Sequence, residues 1–290
     1  MKGRKIVTGI LRILNLIAVL ALIIAYSASW IDPRDAWPLA FFGMAYPLIL
    51  IVNIVFVLIW LLLWNRFLWI SLIVILTGWN NLRSTYPIGW SNNDKDSKNG
   101  IKVMSYNIHG FSGRVASKKE NPARKEITEF LKAKKPDILF LQEYYTRGED
   151  PLAQLNAFGE YLGLPYNTFA NYYGRTFKKR INAIVIFSRF PIVGSGFLKL
   201  ENESLFAVYA DLVVDKKTIR VYNLHLESIR FGKEDYTFYS HLTDPETNME
   251  NAPLREGSKR MFWKLRRAFS IRSAQVAELK EHLKKCRNPL

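Results

Sequence analysis

The sequence predicts a mixed α/β domain preceded by about three transmembrane helices. The first observation is a division of charge, since residues 1–82 carry only eight of the 66 Asp, Glu, Lys and Arg side chains. The second is that short apolar runs alternate with helical segments after residue 100, which is typical of a layered α/β domain. The third is that polar residues end several of these apolar runs, where sites in such domains usually form.

Three uncharged stretches near the N-terminus predict the membrane spans: 13–31, 36–65 and 67–82. A helix needs about 20 mostly apolar residues to cross the hydrocarbon core, which the first two stretches provide. The third is shorter, with Trp69 and Trp79 placed to anchor it at the interface. Two spans plus an interfacial or re-entrant segment is the alternative for this region, and a signal peptide is an alternative for residues 1–30. In the second stretch, Pro47 and Asn53 indicate a kink and a helix contact.

Charge in the short loops predicts the orientation of these spans. Basic residues crowd residues 2–12, whereas the loop 32–35 is net negative, so the N-terminus is expected in the cytoplasm. Three crossings then place the soluble domain on the non-cytoplasmic side, and two crossings reverse this. No span carries an ionisable residue at its middle, so transport has no support.

The soluble part begins after a polar linker, residues 83–100. Apolar runs predict strands at 101–108, 137–141, 166–173, 181–187, 192–200, 205–214 and 218–226. The run 205–214 alternates in a way that suits a sheet with one buried face. Helices are predicted from Pro122, with Asn121 as its cap, and over 151–162 and 259–285. Residues 228–258 are expected to form a long loop bordering a site.

Composition narrows the classes of function. The net charge of +16 favours anionic partners such as phosphates, nucleic acid or lipid head groups. The basic face of the closing helix is solvated by default, with binding of phosphates or anionic lipid as the alternative. The single cysteine excludes an internal disulfide framework and a Cys-rich zinc site. A phosphate-cradling Gly-rich loop and a Gly-x-Ser-x-Gly elbow are both missing from the sequence, so P-loop and serine esterase chemistry lack support.

Four polar residues at the ends of predicted strands are the candidate site: Asn107, Glu143, Asn223 and His225. A carboxylate and an amide oxygen suit a hard cation such as Mg²⁺, which neutralises charge on a phosphate. An imidazole can donate to a phosphoryl oxygen or move a proton. Each residue also has a structural interpretation: Glu143 as a solvated or capping residue, Asn107 as a turn residue and His225 as a core hydrogen-bonding partner. His109 is expected only to line the surface.

Five ordered stretches resemble the endonuclease/exonuclease/phosphatase superfamily, which includes deoxyribonuclease I-like nucleases, inositol polyphosphate phosphatases and neutral sphingomyelinases. The stretches are 105–108, 137–143, 182–191, 221–226 and 272–275. The resemblance spans residues 101–290 and implies an α+β two-sheet sandwich. It implies that Glu143 ligates Mg²⁺ or Mn²⁺, that Asn107 lies beside it in the metal site, and that Asn223 and His225 face the scissile phosphate. Arg189 and Gln275 match positions interpreted as structural.

The sequence also departs from the family pattern. Family members continue after the closing helix into a strand that ends Gly-Asp-x-Asn, whose Asp positions the attacking water, and later into an Asp-His pair. Neither occurs in residues 1–290. We therefore expect an incomplete sandwich without its second half, from a fragment or a prematurely ended reading frame.

The resemblance gives the functional hypothesis. A complete relative is expected to be a membrane-anchored, Mg²⁺-dependent phosphodiesterase, nuclease or phosphatase of the bacterial inner membrane. Its partners are the lipid bilayer and a phosphoester substrate, either nucleic acid or a lipid head group, and no protein partner is inferred. The 290-residue chain is expected to be impaired, because general base catalysis contributes about 100- to 10,000-fold. The alternatives are a non-catalytic membrane-tethered module that binds phosphate-bearing ligands and a purely structural membrane protein.

Overall fold

The computed structural model describes residues 2–86, 100–112, 122–172, 179–200, 205–243 and 254–286. The chain divides into two compact units. The first contains Met1–Asp94 and Ile229–Ser273, and the second contains Lys95–Ser228 and Ala274–Leu290. The last described helix contributes its first part to the first unit and its remainder to the second.

The helices described in the structure are, in chain order, α1 (Lys2–Ser27), α2 (Trp37–Met44), α3 (Tyr46–Leu62), α4 (Leu68–Thr77), α5 (Trp79–Thr85), α6 (Pro122–Lys134), α7 (Pro151–Leu162), α8 (Lys233–Thr243) and α9 (Leu254–Lys284). The strands are β1 (Val103–Asn107), β2 (Ile138–Arg147), β3 (Tyr166–Asn171), β4 (Arg180–Ser188), β5 (Ile192–Lys199), β6 (Leu205–Val214) and β7 (Lys217–Leu224).

The prediction of about three transmembrane helices was wrong. Among the described residues, only the segment Lys5–Ser27 of α1 is long and apolar enough to span a membrane as one helix. The second uncharged stretch forms α2 and α3, which are bent by 59° at a break ahead of Pro47, so at most it adds one broken span. The expected placement of the soluble domain outside the cytoplasm rested on three crossings and loses its basis.

The third uncharged stretch does not form a helix long enough to span a membrane, because it is divided at Gly78 into α4 and α5. The ten residues of α4 span roughly 15 Å, about half of the hydrocarbon core. The break occurs where the chain passes very close to Tyr26, since a Cβ on Gly78 would lie 2.1 Å from that ring. The Tyr26 hydroxyl donates to the carbonyl of Val74 at 3.0 Å.

Polar side chains join α1, α3 and α4 inside the first unit. Asn15 donates to Ser71 Oγ at 2.6 Å and accepts from Trp60 Nε1 at 2.8 Å, and all three residues are fully buried. The expected helix contact of Asn53 is present, because its amide donates to the carbonyl of Ala18 at 3.0 Å. Such interhelical hydrogen bonds hold helices together where the surroundings are apolar.

The second unit contains two sheets. The first has the order β1-β2-β4-β3, with β1 parallel to β2 and the other pairs antiparallel, and the second is the antiparallel sheet β5-β6-β7. Ile184 and Ile186 of β4 share a buried cluster with Val208 and Ala210 of β6, so the two sheets pack face to face. A two-sheet α/β domain is therefore confirmed. The expectation that the second sheet is absent was wrong, because three strands cover the apolar face of the first.

Several local predictions also needed correction. Strand β6 is buried on both faces, because Ala207 on its second face packs with Leu279 of α9. The segment 228–258 contains α8 and is not a continuous loop, and α9 begins at Leu254. Asn121 and residues 87–99 of the linker lie outside the described residues.

Candidate functional site

The candidate site lies at the carboxyl end of the parallel pair β1 and β2. Asn107 ends β1 opposite Gln142, and the register of β2 then shifts between Leu141 and Tyr144. The extra residues form a bulge, a feature that turns side chains out of the normal strand alternation and often occurs beside active sites. Within it, Glu143 has φ 55°, a left-handed conformation that is uncommon for a residue other than glycine.

Three side chains converge on the carboxylate of Glu143. The Asn107 amide donates to Oε1 at 3.0 Å. Nδ1 of His109 lies 3.1 Å from Oε2, and Nε2 of His225 lies 3.5 Å from Oε1. The Glu143 side chain is 30% exposed, so a small ligand in solvent can reach it. The structure thus brings together Asn107, Glu143 and His225, which the sequence places far apart.

The backbone around His109 is also left-handed. His109, Gly110 and Phe111 have φ values of 45°, 62° and 60°. The amide of His109 donates to Asn107 Oδ1 at 2.9 Å, which fixes the turn that brings the imidazole to Glu143. For residues other than glycine, here His109 and Phe111, this conformation costs about 1–3 kcal/mol each, and such residues cluster at functional sites, where the surrounding structure enforces them.

His225 is held by Tyr172, the residue that follows β3. The Tyr172 hydroxyl forms a short hydrogen bond with Nδ1 of His225. Burial raises the pKa of Tyr172, and a backbone hydrogen bond from Glu143 only partly offsets this, so the hydroxyl stays protonated at neutral pH. If the hydroxyl donates to Nδ1, the proton of a neutral imidazole resides on Nε2, the nitrogen that faces Glu143.

Asn223 lies behind the site and is 1% exposed. Its amide donates to the carbonyls of Leu141 at 3.0 Å and Val185 at 2.7 Å, and its oxygen accepts from Gln142 Nε2 at 2.5 Å. Gln142 also donates to Ser105 Oγ at 3.1 Å. Asn223 therefore joins β7 of the second sheet to β2 and β4 of the first, directly beneath the bulge.

Three residues of this arrangement were not predicted from the sequence to belong to the site: His109, Gln142 and Tyr172. His109 was expected only to line the surface, although the His-Gly pair directly after a strand signals a left-handed turn. Gln142, next to Glu143, carries a polar group on an otherwise apolar strand. Tyr172 gives no comparable signal, because its role depends on a contact with a residue 53 positions away.

The donor set at Glu143 fits a hard divalent cation. Mg²⁺ is usually bound through one or two carboxylates plus waters and substrate phosphates, at oxygen ligands. Glu143 offers a partly exposed carboxylate. The Asn107 side chain lies against it, with its amide nitrogen toward Glu143 and its oxygen accepting from the backbone amide of His109. Within the described ranges, no group of three or more His, Cys, Asp and Glu side chains forms an all-protein metal cage.

The two positions interpreted as structural lie outside this cluster. Nη1 of Arg189 lies 3.0 Å from Asp137 Oδ1, at the start of β2. Gln275 of α9 is fully buried, and its oxygen accepts from the backbone amide of Glu227 at 2.9 Å.

Comparison with known families identifies the class of this chain. Residues 104–275, more than half of the chain, match the profile described as "Endonuclease/Exonuclease/phosphatase family". The chain therefore belongs to the endonuclease/exonuclease/phosphatase family, as the sequence motifs predicted. Residues 5–85 match a separate profile described as "Domain of unknown function (DUF8431)". No curated protein matches the chain.

Several solved structures match part of this chain. An endonuclease/exonuclease/phosphatase from Beutenbergia cavernae DSM 12333 is 18% identical, with a TM-score of 0.35, over 56% of this chain and 52% of that one. A family protein from Leptotrichia buccalis C-1013-b is 12% identical, with a TM-score of 0.33, over 57% and 73%. TDP2 from C. elegans is 23% identical, with a TM-score of 0.33, over 50% and 44%. This chain thus spans about half of the length of the first and third.

Proposed function

We propose that this chain is a membrane-anchored phosphoric ester hydrolase that uses a divalent metal ion, Mg²⁺ or Mn²⁺. The observation that carries the proposal is the convergence of Asn107, His109 and His225 on the partly exposed carboxylate of Glu143. Membership in the endonuclease/exonuclease/phosphatase family supports the reaction class. The substrate class is a phosphoester, in nucleic acid or in a lipid head group.

Each residue has a role in this proposal. Glu143 and Asn107 hold the metal ion, which supplies Lewis-acid stabilisation of charge on the phosphate when it is bound. His225 presents Nε2 toward the same carboxylate and donates to a phosphoryl oxygen. His109, with its side chain 79% exposed, stands at the open side of the site, where it can contact an arriving anion. Asn223 acts on the reaction through the position of the bulge.

We also propose that residues 1–290 alone hydrolyse slowly. They contain neither Gly-Asp-x-Asn nor an Asp-His pair, and a missing general base costs about 100- to 10,000-fold in rate.

Membrane anchoring rests on the apolar surface of α1. Only 17% of an apolar stretch of 18 residues in α1 is buried inside the protein. Large apolar side chains along the helix are half exposed or more, including Ile6, Ile10, Ile13, Ile17 and Leu20. A soluble protein rarely leaves a continuous apolar patch of this size in water. A bilayer covers such a helix without the cost of hydrating it.

The test measures hydrolysis of bis(p-nitrophenyl) phosphate by the full chain in detergent micelles, with Mg²⁺, with Mn²⁺ and after chelation. We expect a slow, metal-dependent rate that falls by about 100-fold or more in Glu143→Gln, because that substitution removes the charged ligand. Glu160→Gln changes an exposed carboxylate of α7 and serves as the matched control. A rate that persists after chelation or in Glu143→Gln contradicts the proposed site.

The same variants separate the enzyme from a non-catalytic module that binds phosphate-bearing ligands. The net charge of the chain, +16, is the observation that favours this second candidate. If oligonucleotide binding survives both chelation and Glu143→Gln while hydrolysis is undetectable for every variant, the binding module is the correct function.

A further inference from the structure

The first unit carries a surface that the proposed reaction does not use. It lies on the first part of α9, which shares this unit with α8 and with α1–α5. Lys259, Trp263 and Arg267 recur at every fourth position and are all exposed, so they form one stripe along the helix, here called the basic stripe. Trp263 is 49% exposed.

Helix α8 fixes the neighbouring side of α9 through a buried carboxylate. Asp235 on α8 has a side chain that is only 2% exposed. It accepts from Arg260 Nε at 2.8 Å, and Lys264 forms a shorter ion pair with it. Phe238 packs directly on Gly257, where an added Cβ would lie 2.3 Å from the ring. Arg260 and Lys264 thus pair with Asp235 inside the first unit, whereas Lys259 and Arg267 of the basic stripe are exposed to solvent.

A second set of contacts fixes α9 to the chain between the apolar helices. The ring of Phe262 stacks on Phe41 of α2 at 5.0 Å between centroids and meets Trp37 edge-on at 5.2 Å. Further along α9, the Ser273 hydroxyl donates to Asp32 Oδ1 at 2.6 Å. The first part of α9 therefore packs against the segment 32–41.

The segment 32–41 follows closely after the end of the candidate membrane span at Ser27. The apolar segment of α1 ends at Ser27, and the next aromatic residue, Trp30, is 89% exposed. Tryptophan and tyrosine concentrate at the boundary between lipid and water. Two tyrosines of α8, Tyr236 and Tyr239, are also more than half exposed. Exposed aromatic side chains thus occur in three segments of the first unit: the residues after α1, helix α8 and the first part of α9.

We infer that the basic stripe binds the anionic phospholipid head groups of the bilayer in which the first unit is anchored. Tryptophan concentrates at the boundary between lipid and water, and lysine or arginine close to that boundary is attracted to anionic head groups. The ring of Trp263 enters the boundary region while Lys259 and Arg267 pair with phosphates. Arg266, stacked on Trp263 at 4.9 Å, orients that ring. This inference rests on the proposed membrane anchoring.

The test follows a fluorescent probe beside the basic stripe in the full chain, reconstituted in vesicles. The probe, NBD, is attached at Ser258→Cys in a Cys286→Ser background, since Ser258 is exposed and adjacent to Lys259. Quenching by acrylamide, a neutral molecule, measures access from water. One set of vesicles is pure phosphatidylcholine, and the other contains 30% phosphatidylglycerol.

We expect phosphatidylglycerol to shield the probe from acrylamide and Lys259→Gln/Arg267→Gln to abolish that shielding. Each basic side chain near an anionic surface favours the bound state by about fivefold, so the double substitution lowers the bound-to-free ratio by about 25-fold. Lys125→Gln/Lys280→Gln removes two exposed lysines of the second unit and is expected to keep the shielding. Trp263→Ala is expected to weaken it.

Three results would overturn the inference: equal quenching in both lipids, shielding that survives the stripe substitutions, or equal shielding by inorganic phosphate in phosphatidylcholine vesicles. The last would identify a free phosphate as the ligand. Carbonate extraction of the same vesicles tests the anchor separately. If the chain resists extraction but the probe is not shielded, only lipid binding by the basic stripe is refuted. If the chain is extracted, membrane anchoring and lipid binding by the basic stripe are both refuted.

Discussion

Replacing Asn223 with alanine tests whether this residue supports the site or faces the substrate. The substitution removes three buried hydrogen bonds, those with Leu141, Val185 and Gln142. At about 1 kcal/mol net for each bond, with a further cost for buried groups left unpaired, the free energy of opening of this region falls by roughly 2–4 kcal/mol. The lost contacts lie in β2 and β4, where the bulge begins.

Hydrogen exchange of the full chain in detergent measures this directly, because amides of β2 and β4 report the local free energy of opening. Asn167→Ala is the matched control, since it removes one exposed hydrogen bond with Asn156 and is expected to cost less than about 0.5 kcal/mol. The reasoning is refuted if Asn223→Ala changes exchange no more than the control does. Lost hydrolysis without any change in exchange would instead favour the direct role predicted from the sequence.

Two further predictions concern the packing of α8 on α9. Burial alone raises the pKa of Asp235, but hydrogen bonds from Lys264 and Arg260 lower it to about 2. Its contribution to stability is therefore present above the unfolded pKa of about 4 and lost as the pH falls toward 2. Tryptophan fluorescence during acid titration should report this, and Asp235→Asn should remove the transition. Gly257→Ala should cost about 1–3 kcal/mol in thermal unfolding by overpacking, whereas Gly9→Ala, with open space around it, should be tolerated.

The sequence predicted elements best where local signals define both ends. Helix α7 was predicted with its observed bounds because Asp150 caps it, accepting from the amide of Ala153, Pro151 begins it and Gly163 ends it with φ 77°. Strand β6 was also predicted in full. In both cases the residues that fix the ends are neighbours in the chain.

Predictions failed where distant contacts decide the structure. The uncharged run 67–82 breaks at Gly78, where Tyr26 of another helix leaves no room for a side chain, and no local pattern reveals that contact. Helix α8 was not predicted because it is fixed by ion pairs of Asp235 with Arg260 and Lys264, which are distant in the sequence. Asp235 alone cannot be distinguished from an ordinary exposed polar residue. Strand β2 extends past its predicted end because the bulge interrupts the apolar pattern without ending the pairing.

In the site, too, the features set by local sequence were predicted and those set by distant contacts were not. Residue type and position at strand ends were enough to select Asn107, Glu143 and His225, which lie together in the structure. The burial of Asn223 and the partnership of Tyr172 with His225 depend on how the two sheets pack. Strand periodicity does not contain that information.

Metal binding by the full chain is the measurement that tests the central claim most directly. Electron paramagnetic resonance of Mn²⁺ titrated into the chain counts bound ions and gives their affinity. We predict a saturable site that Mg²⁺ displaces, that weakens at least about tenfold in Glu143→Gln as a charged ligand is lost, and that is unchanged in Glu160→Gln. Equal affinity in the wild-type chain and in Glu143→Gln would show that the cluster at the end of β1 and β2 does not hold the ion.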